Sequence, residues 1–268
     1  MLRAAGDRRA RVRATVGGMS HIAVESKGPV RVIRMNRPEK KNALTVQMYD
    51  DLVAAFTDAR QDDSVRVVVV LGTNGVFSAG NDIGDFIQNP PTGEDSAVFR
   101  LLAAITTFPK PVVAGVDGPA VGLGTTMLLH FDMVVAARTA RFRMPFVPLG
   151  LVPEGASSIL LPLCVGLHRA SEWLMLGDEF SGEAAHQAGL VNWLVDGSEV
   201  ESLALDKAAA LAARPAEALR LAKKLLREPL ATAVAEALTR EGALFVERLQ
   251  SPEAIEALMA FATRGRRG

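Results

Sequence analysis

The sequence of 268 residues contains a single cysteine, Cys164, and four scattered histidines. One cysteine excludes an internal disulfide framework and is typical of a reducing compartment, and histidines without ligand spacing predict no metal site. Thirty basic residues balance 30 acidic ones, so no positively charged surface favours nucleic acid. Uncharged runs such as residues 118–131, at about 14 residues, are shorter than a bilayer requires. We therefore expect a soluble cytoplasmic protein with no nucleic-acid or membrane partner.

The balanced charge hides an uneven start of the chain. Residues 1–18 contain five arginines and one aspartate, whereas the remaining residues include 25 basic and 29 acidic side chains. This segment has no hydrophobic periodicity and lacks the apolar run of a signal peptide. Its arginines leave a transit peptide open as an alternative, although it contains no serine. We predict a disordered or non-native extension over residues 1–18.

Regular hydrophobic patterns begin at His21. Two short β-branched runs predict a hairpin, and the apolar runs over residues 67–71 and 112–116 predict strands that are covered on both faces. Thr45 is a candidate N-cap for an amphipathic helix, and another helix is expected over residues 125–130. Strands and helices alternate early, whereas helices dominate after Gly150. This order indicates an α/β fold, with a core over residues 19–200 and a helical C-terminal part over residues 201–268.

Two glycine-containing loops follow predicted buried strands, one over residues 77–82 and the other over residues 118–124. Glycines let backbone N–H groups approach a ligand closely, and N–H groups at a helix N-terminus favour a negative charge. Each loop could instead be an ordinary tight turn, with Asp82 as a helix N-cap. The second loop has Met127 where a dinucleotide fingerprint requires its third glycine, so no nicotinamide cofactor is predicted.

Glu154 is the one ionisable residue in the apolar, proline-rich stretch 144–158. A buried carboxylate there would have a raised pKa, which suits a general base near neutral pH. Alternatively, Glu154 could lie in the first turn of a helix that starts near Gly155, where it would complement the helix dipole. Ser157 and Ser158 lack the Gly-x-Ser-x-Gly context of a nucleophile and are expected to be helix-start hydroxyls.

Taken together, five ordered motifs resemble the enoyl-CoA hydratase/isomerase (crotonase) superfamily. They lie at residues 36–44 (NRPEKKNAL), 77–82 (FSAGND), 118–122 (GPAVG), 149–155 (LGLVPEG) and 184–191 (AAHQAGLV). The resemblance implies a crotonase-type spiral of ββα turns with a helical C-terminal trimerisation part. It also implies an acyl-CoA thioester of fatty-acid metabolism as substrate, with no metal and no cofactor beyond the coenzyme A of that substrate. A homotrimer or a dimer of trimers is the implied assembly.

The resemblance assigns site residues by position. The oxyanion hole of the family corresponds to the backbone N–H groups of Asn81 and Leu123, which would hold the thioester oxygen as an enolate forms. The coenzyme A contacts correspond to Lys41, Ala43, Ala79, Asp82 and Ile83. The candidate residues of the acyl pocket are Phe86, Gly122, Thr126, Phe146 and Leu149.

The departures from the family pattern bear on the reaction. Hydratases of the family carry two glutamates, at positions that are Thr126 and Phe146 here, and the addition of water needs both an acid and a base. Glu154 corresponds to the single catalytic glutamate of the peroxisomal-type Δ3,Δ2-enoyl-CoA isomerases. The resemblance therefore implies an isomerase in which Glu154 moves a proton from C2 to C4 of a 3-enoyl-CoA, with Phe146 excluding water. An enoyl-CoA hydratase and a non-catalytic acyl-CoA-binding protein are the alternatives.

Overall fold

A computed structural model describes residues 21–264, so the extension predicted over residues 1–18 lies outside the described part of the chain. The strands of the described part, β1 to β9, are Ile22–Lys27, Val30–Met35, Val67–Leu71, Val112–Val116, Pro119–Val121, Met133–Ala137, Arg141–Arg143, Phe180–Ser181 and Trp193–Val195. Its α-helices, α1 to α11, are Val46–Gln61, Ile83–Gln88, Ala97–Thr106, Leu123–Thr126, Ser157–Val165, Leu167–Ser171, Gly182–Gln187, Val200–Ala212, Ala216–Arg227, Ala231–Leu249 and Pro252–Arg264.

The strands form two sheets. The larger sheet has the order β1-β2-β3-β4-β6-β9, in which β1 is antiparallel to β2 and every other neighbouring pair is parallel. A small sheet has the order β5-β7-β8. Every residue of β3 and β4 is buried, as expected for parallel strands that are covered on both faces. The predicted α/β class is confirmed.

Several predicted elements are confirmed, and two differ. The hairpin is present as β1 and β2, and Thr45 caps α1 by accepting a hydrogen bond from the Met48 N–H at 3.3 Å. The helix predicted from residue 125 begins two residues earlier, because Gly122 (φ 55°, ψ −122°) turns the chain into α4, which continues as the 3-10 helix Met127–His130. Hydrophobic periodicity does not predict α2, which has only six residues, and its start is marked in the sequence by the candidate N-cap Asp82.

The C-terminal helices pack on the core in different ways. Helix α8 contacts β3 and β4, so the boundary predicted at residue 200 falls at the start of a helix that covers the sheet. Helix α10 packs against α5. Helix α9 has no buried residue, and its Leu225 and Leu226 are largely exposed. Within residues 21–264, no helix combines the length and the apolarity needed to cross a membrane.

Gly118 connects β4 to β5 and passes directly over the loop that follows β3. A Cβ atom at Gly118 would lie 1.8 Å from the carbonyl oxygen of Gly75. We expect Gly118→Ala to lower the free energy of unfolding by about 1–3 kcal/mol, because the packed backbone must move to admit the methyl group. Gly93→Ala is the control, since nothing lies within 4 Å of its added atom, and it should change the stability by less than about 1 kcal/mol. Urea unfolding measures both variants, and equal stabilities would contradict the close approach.

Candidate active site

Glu154 lies in the connection between the 3-10 turn Val147–Leu149 and helix α5. The next two residues, Gly155 (φ 71°) and Ala156 (φ 55°), both have left-handed backbone conformations. This conformation costs an alanine about 1–2 kcal/mol, so the surrounding structure must hold the turn in place. Because α5 begins only at Ser157, Glu154 precedes the helix and does not belong to its first turn. Its side chain is buried, with 5% of the residue exposed.

The carboxylate of Glu154 accepts a hydrogen bond from Thr126, whose Oγ1 lies 2.7 Å from Oε1. Burial raises the pKa of Glu154 from its ordinary 4.5 to about 7; the Thr126 hydrogen bond lowers it, and the negative charge of Glu241 raises it. A carboxylate with this pKa can both take up and return a proton near neutral pH. Thr126, which is predicted to line the acyl pocket, thus contacts the candidate base directly.

His130 supports the turn that follows Glu154. Its Nε2 lies 2.8 Å from the carbonyl oxygen of Gly155, and since a carbonyl can only accept, Nε2 carries the proton. The other ring nitrogen, Nδ1, then accepts from the hydroxyl of Thr106 at 3.0 Å. Burial lowers the pKa of His130 to about 4. The imidazole is therefore neutral at pH 7 and holds the backbone of the turn without titrating there.

The two glycine-containing loops lie against each other. The Val121 N–H donates to the carbonyl oxygen of Ser78 at 2.9 Å, and a Cβ atom at Gly80 would lie 2.7 Å from the carbonyl oxygen of Val121. Among the residues that the structure describes, the backbone N–H groups of Asn81 and Leu123 have no hydrogen-bond acceptor. Two unpaired donors thus lie on adjacent loops, as an oxyanion hole requires.

The residues predicted to contact coenzyme A are brought together by backbone pairing. The Ala79 N–H donates to the carbonyl oxygen of Lys41 at 3.0 Å, and the Asp82 N–H donates to that of Leu44 at 2.8 Å. These bonds join residues 41–44 to residues 79–82, and so place Ala43 and Ile83 in the same region. The carboxylate of Asp82 caps α2 and pairs with Arg37 at 2.6 Å, which confirms that Asp82 is an N-cap.

Tyr49, the one tyrosine of the chain, contacts the site although no motif of the sequence includes it. It lies on the buried face of α1, and its hydroxyl donates a hydrogen bond to the side-chain oxygen of Asn81. Burial, followed by the negative charges of Glu154 and Asp85, raises the pKa of Tyr49 well above its usual value. A neutral phenol therefore fixes the side chain of Asn81. A tyrosine at a core position of an amphipathic helix gives no sequence signal that distinguishes this contact from ordinary packing.

The other residues predicted for the acyl pocket have different surroundings. Phe86 is buried and packs edge-on against Phe245 of α10, with ring centroids 6.2 Å apart. Phe146 is buried, Leu149 is half-buried, and Gly122 is the N-cap of α4. None of the five predicted residues lines the cavity of about 950 Å³ that lies between α3, α9 and α10.

Part of the wall of that cavity contacts the turn that follows the candidate base. Its walls include Leu102, His130, Leu160 and Leu238. His130 binds the carbonyl oxygen of Gly155, and a Cβ atom at Gly155 would lie 3.4 Å from Leu102. The wall of the cavity therefore contacts the residue that follows Glu154.

Solved structures with the same arrangement of strands and helices show which fold this protein has. OdaA from Pseudomonas aeruginosa superposes with a TM-score of 0.88 and 46% identity, over 90% of this chain and 98% of that chain. The protein has the crotonase fold. The family model described as enoyl-CoA hydratase/isomerase matches residues 25–267, and the chain belongs to that family.

Curated relatives include enoyl-CoA delta isomerases. Rat enoyl-CoA delta isomerase 2 is 36% identical over 249 residues, which is 91% of this chain and 63% of that protein. Human enoyl-CoA delta isomerase 2 is 35% identical over 218 residues, 79% of this chain and 55% of that protein. The chain therefore spans somewhat more than half the length of these two relatives.

Proposed function

We propose that the protein is an acyl-CoA enzyme of fatty-acid metabolism that isomerises a 3-enoyl-CoA to a 2-enoyl-CoA, with Glu154 as the single base. The observation that carries this proposal is the buried Glu154 carboxylate, whose pKa of about 7 suits reversible proton transfer near neutral pH. The isomerase relatives support it, and the family supports a thioester substrate.

The proposed reaction has two proton transfers. The Glu154 carboxylate takes a proton from C2 of the 3-enoyl thioester, and the electron pair of the C–H bond moves into the conjugated dienolate. The N–H groups of Asn81 and Leu123 hold the thioester oxygen as its negative charge develops. Glu154 then returns the proton to C4, and the double bond lies between C2 and C3. The carboxylate is regenerated, so these steps use no metal and no cofactor beyond the coenzyme A of the substrate.

Hydration is the second candidate within the same fold. Thr126 stands at one of the two hydratase glutamate positions and donates its hydroxyl hydrogen to Glu154, and Phe146 stands at the other. Neither side chain can activate or protonate as a carboxyl group does. This observation favours isomerisation.

Deuterium transfer tests the proposed function. A 3-enoyl-CoA deuterated at C2 should yield 2-enoyl-CoA with part of the deuterium at C4, because one buried carboxylate takes and returns the same hydron. Mass spectrometry of the product measures this transfer. Complete exchange with water would contradict the single sheltered base. Binding of the thioester without turnover would instead support the non-catalytic acyl-CoA-binding alternative.

The pH dependence of kcat/KM tests the contact between Thr126 and Glu154. Because the hydroxyl of Thr126 stabilises the ionised carboxylate, Thr126→Val should raise the pKa of Glu154, and the ascending limb of the profile should move to higher pH by about one unit. Thr107→Val is the control, since the hydroxyl of Thr107 donates to the carbonyl oxygen of Ala103 on α3. An unchanged profile in Thr126→Val would show that Thr126 does not stabilise the ionised base.

A further inference from the structure

A second buried carboxylate, that of Glu241 on α10, contacts the start of the helix that follows the candidate base. Glu241 is 5% exposed, and its Oε1 accepts a hydrogen bond at 3.0 Å from the backbone N–H of Ser158, in the first turn of α5. Its other oxygen, Oε2, and the Oγ of Ser157 are buried and have no hydrogen-bond partner in the described part of the chain. A buried carboxylate with one unpaired oxygen is costly, so its role needs an explanation.

The position of Glu241 connects it to the strained turn. Gly155 and Ala156, both left-handed, lie between Glu154 and the start of α5. Ser158 is the second residue of that helix, so the hydrogen bond to Glu241 fixes the helix on one side of the turn. His130 fixes the turn on its other side, through the carbonyl oxygen of Gly155.

Glu241 also acts on the candidate base through its charge. Burial raises the pKa of Glu241 above its ordinary value, and hydrogen bonds at the start of α5 partly oppose this by stabilising the ionised form. When Glu241 is ionised, its negative charge disfavours a second negative charge on Glu154.

The other titratable groups near the two carboxylates do not supply a negative charge that acts on Glu154. Tyr49 of α1 is neutral near pH 7, and so is His130 after α4. Asp85 of α2 acts on Tyr49. Arg240, beside Glu241 on α10, favours ionisation of Glu241. Among these groups, Glu241 is the one whose negative charge, when it is ionised, adds to the effect of burial and raises the pKa of Glu154.

We infer that Glu241 is a positioning residue of the active site: through its hydrogen bond to the start of α5 it holds the turn that carries Glu154, and its buried carboxylate is part of the electrostatic surroundings of that base. The inference rests on the proposed function, in which Glu154 is the base. A purely structural cap of α5 would need only the hydrogen bond to Ser158. The charge of Glu241 separates the two roles, because glutamine keeps the acceptor oxygen and loses the charge.

The experiment is a titration of Glu154 in Glu241→Gln, compared with the unchanged protein. Infrared spectroscopy detects the absorption band of a protonated carboxyl group. The band of Glu154 is identified as the one that is lost in Glu154→Gln. Its intensity against pH gives the titration midpoint of Glu154 without substrate or turnover. We expect the midpoint to fall by about 0.5–1 pH unit, and the ascending limb of kcat/KM to move to lower pH by the same amount. Glu236→Gln, an exposed position on the same helix, is the matched control and should leave both unchanged.

Glu241→Ala adds the loss of the hydrogen bond. We expect it to share the shifted midpoint and to lower kcat by a further factor of about 10, because a misplaced base works poorly.

If Glu241→Gln leaves the Glu154 midpoint unchanged, the inference is wrong and Glu241 is a cap only. If the midpoint shifts but neither the unchanged protein nor the variant isomerises a 3-enoyl-CoA, the electrostatic coupling stands and the proposed function fails. The infrared measurement thus distinguishes the two failures.

Discussion

Replacing Glu154 with glutamine is expected to lower isomerase turnover by about 10²–10⁴-fold, the range that a general acid–base group contributes. Glutamine keeps the size of the side chain and can still pair with Thr126, but it cannot accept the C2 proton. The affinity for the thioester should stay nearly unchanged, since the N–H groups of Asn81 and Leu123 belong to the backbone of other loops. Measurements of kcat and of the thioester Kd on this variant, with Glu236→Gln as control, test the prediction. Unaltered turnover would remove Glu154 from the mechanism.

Glu154→Gln also tests how the stability of the folded protein changes with pH, and the direction of that change can be predicted. The pKa of Glu154 is about 7 in the folded protein against an ordinary 4.5, so between these values the folded state holds a proton that the unfolded state has lost. Stability therefore falls as the pH rises through this window, by about 3 kcal/mol in total. Glutamine does not ionise, so Glu154→Gln should be more stable than the unchanged protein at pH 8 and similar near pH 4. If Glu154 served only a helix dipole, glutamine would cost a few tenths to about 1 kcal/mol instead.

The second large effect concerns the choice of reaction. We expect kcat/KM for isomerisation of a 3-enoyl-CoA to exceed that for hydration of a 2-enoyl-CoA by at least about 10², because each missing acid or base group costs about that factor. By the resemblance to the family, Thr126 and Phe146 correspond to the two positions where hydratases carry glutamates, and Phe146 is buried. Both substrates should be assayed on one preparation, with a known hydratase to verify that the second assay responds. Comparable values for the two substrates would overturn the isomerase proposal.

The fold could be predicted from the sequence wherever burial leaves a local pattern. The apolar runs of β3 and β4 predict strands covered on both faces, and the Thr45 cap marks the start of α1. Helix α2 could not be predicted in this way, because six residues are too few to show a helical period. The start of α4 depends on the backbone of Gly122, whose positive φ leaves no trace in a hydrophobic pattern.

The candidate site could be predicted from the sequence only where its residues form a local pattern. Glu154 stands out because it is the one charge in an apolar stretch, and the two loops stand out through their glycines. The hydrogen bond from Thr126 to Glu154 joins side chains 28 residues apart, and that from Ser158 to Glu241 spans 83 residues. Contacts between residues so far apart in the sequence depend on how the helices pack. The hydrophobic periodicity of a short segment contains no information about that packing. Tyr49 and Glu241 therefore emerge only from the three-dimensional arrangement.

The position of α10 bears on how a shortened chain would behave. The loops over residues 77–82 and 118–124 precede α10 by more than 100 residues, yet a domain generally folds as a unit, and α10 packs against α5. A chain that stops short of α10 lacks the carboxylate that accepts the hydrogen bond of the Ser158 N–H. We therefore expect such a chain to lose turnover together with part of its stability.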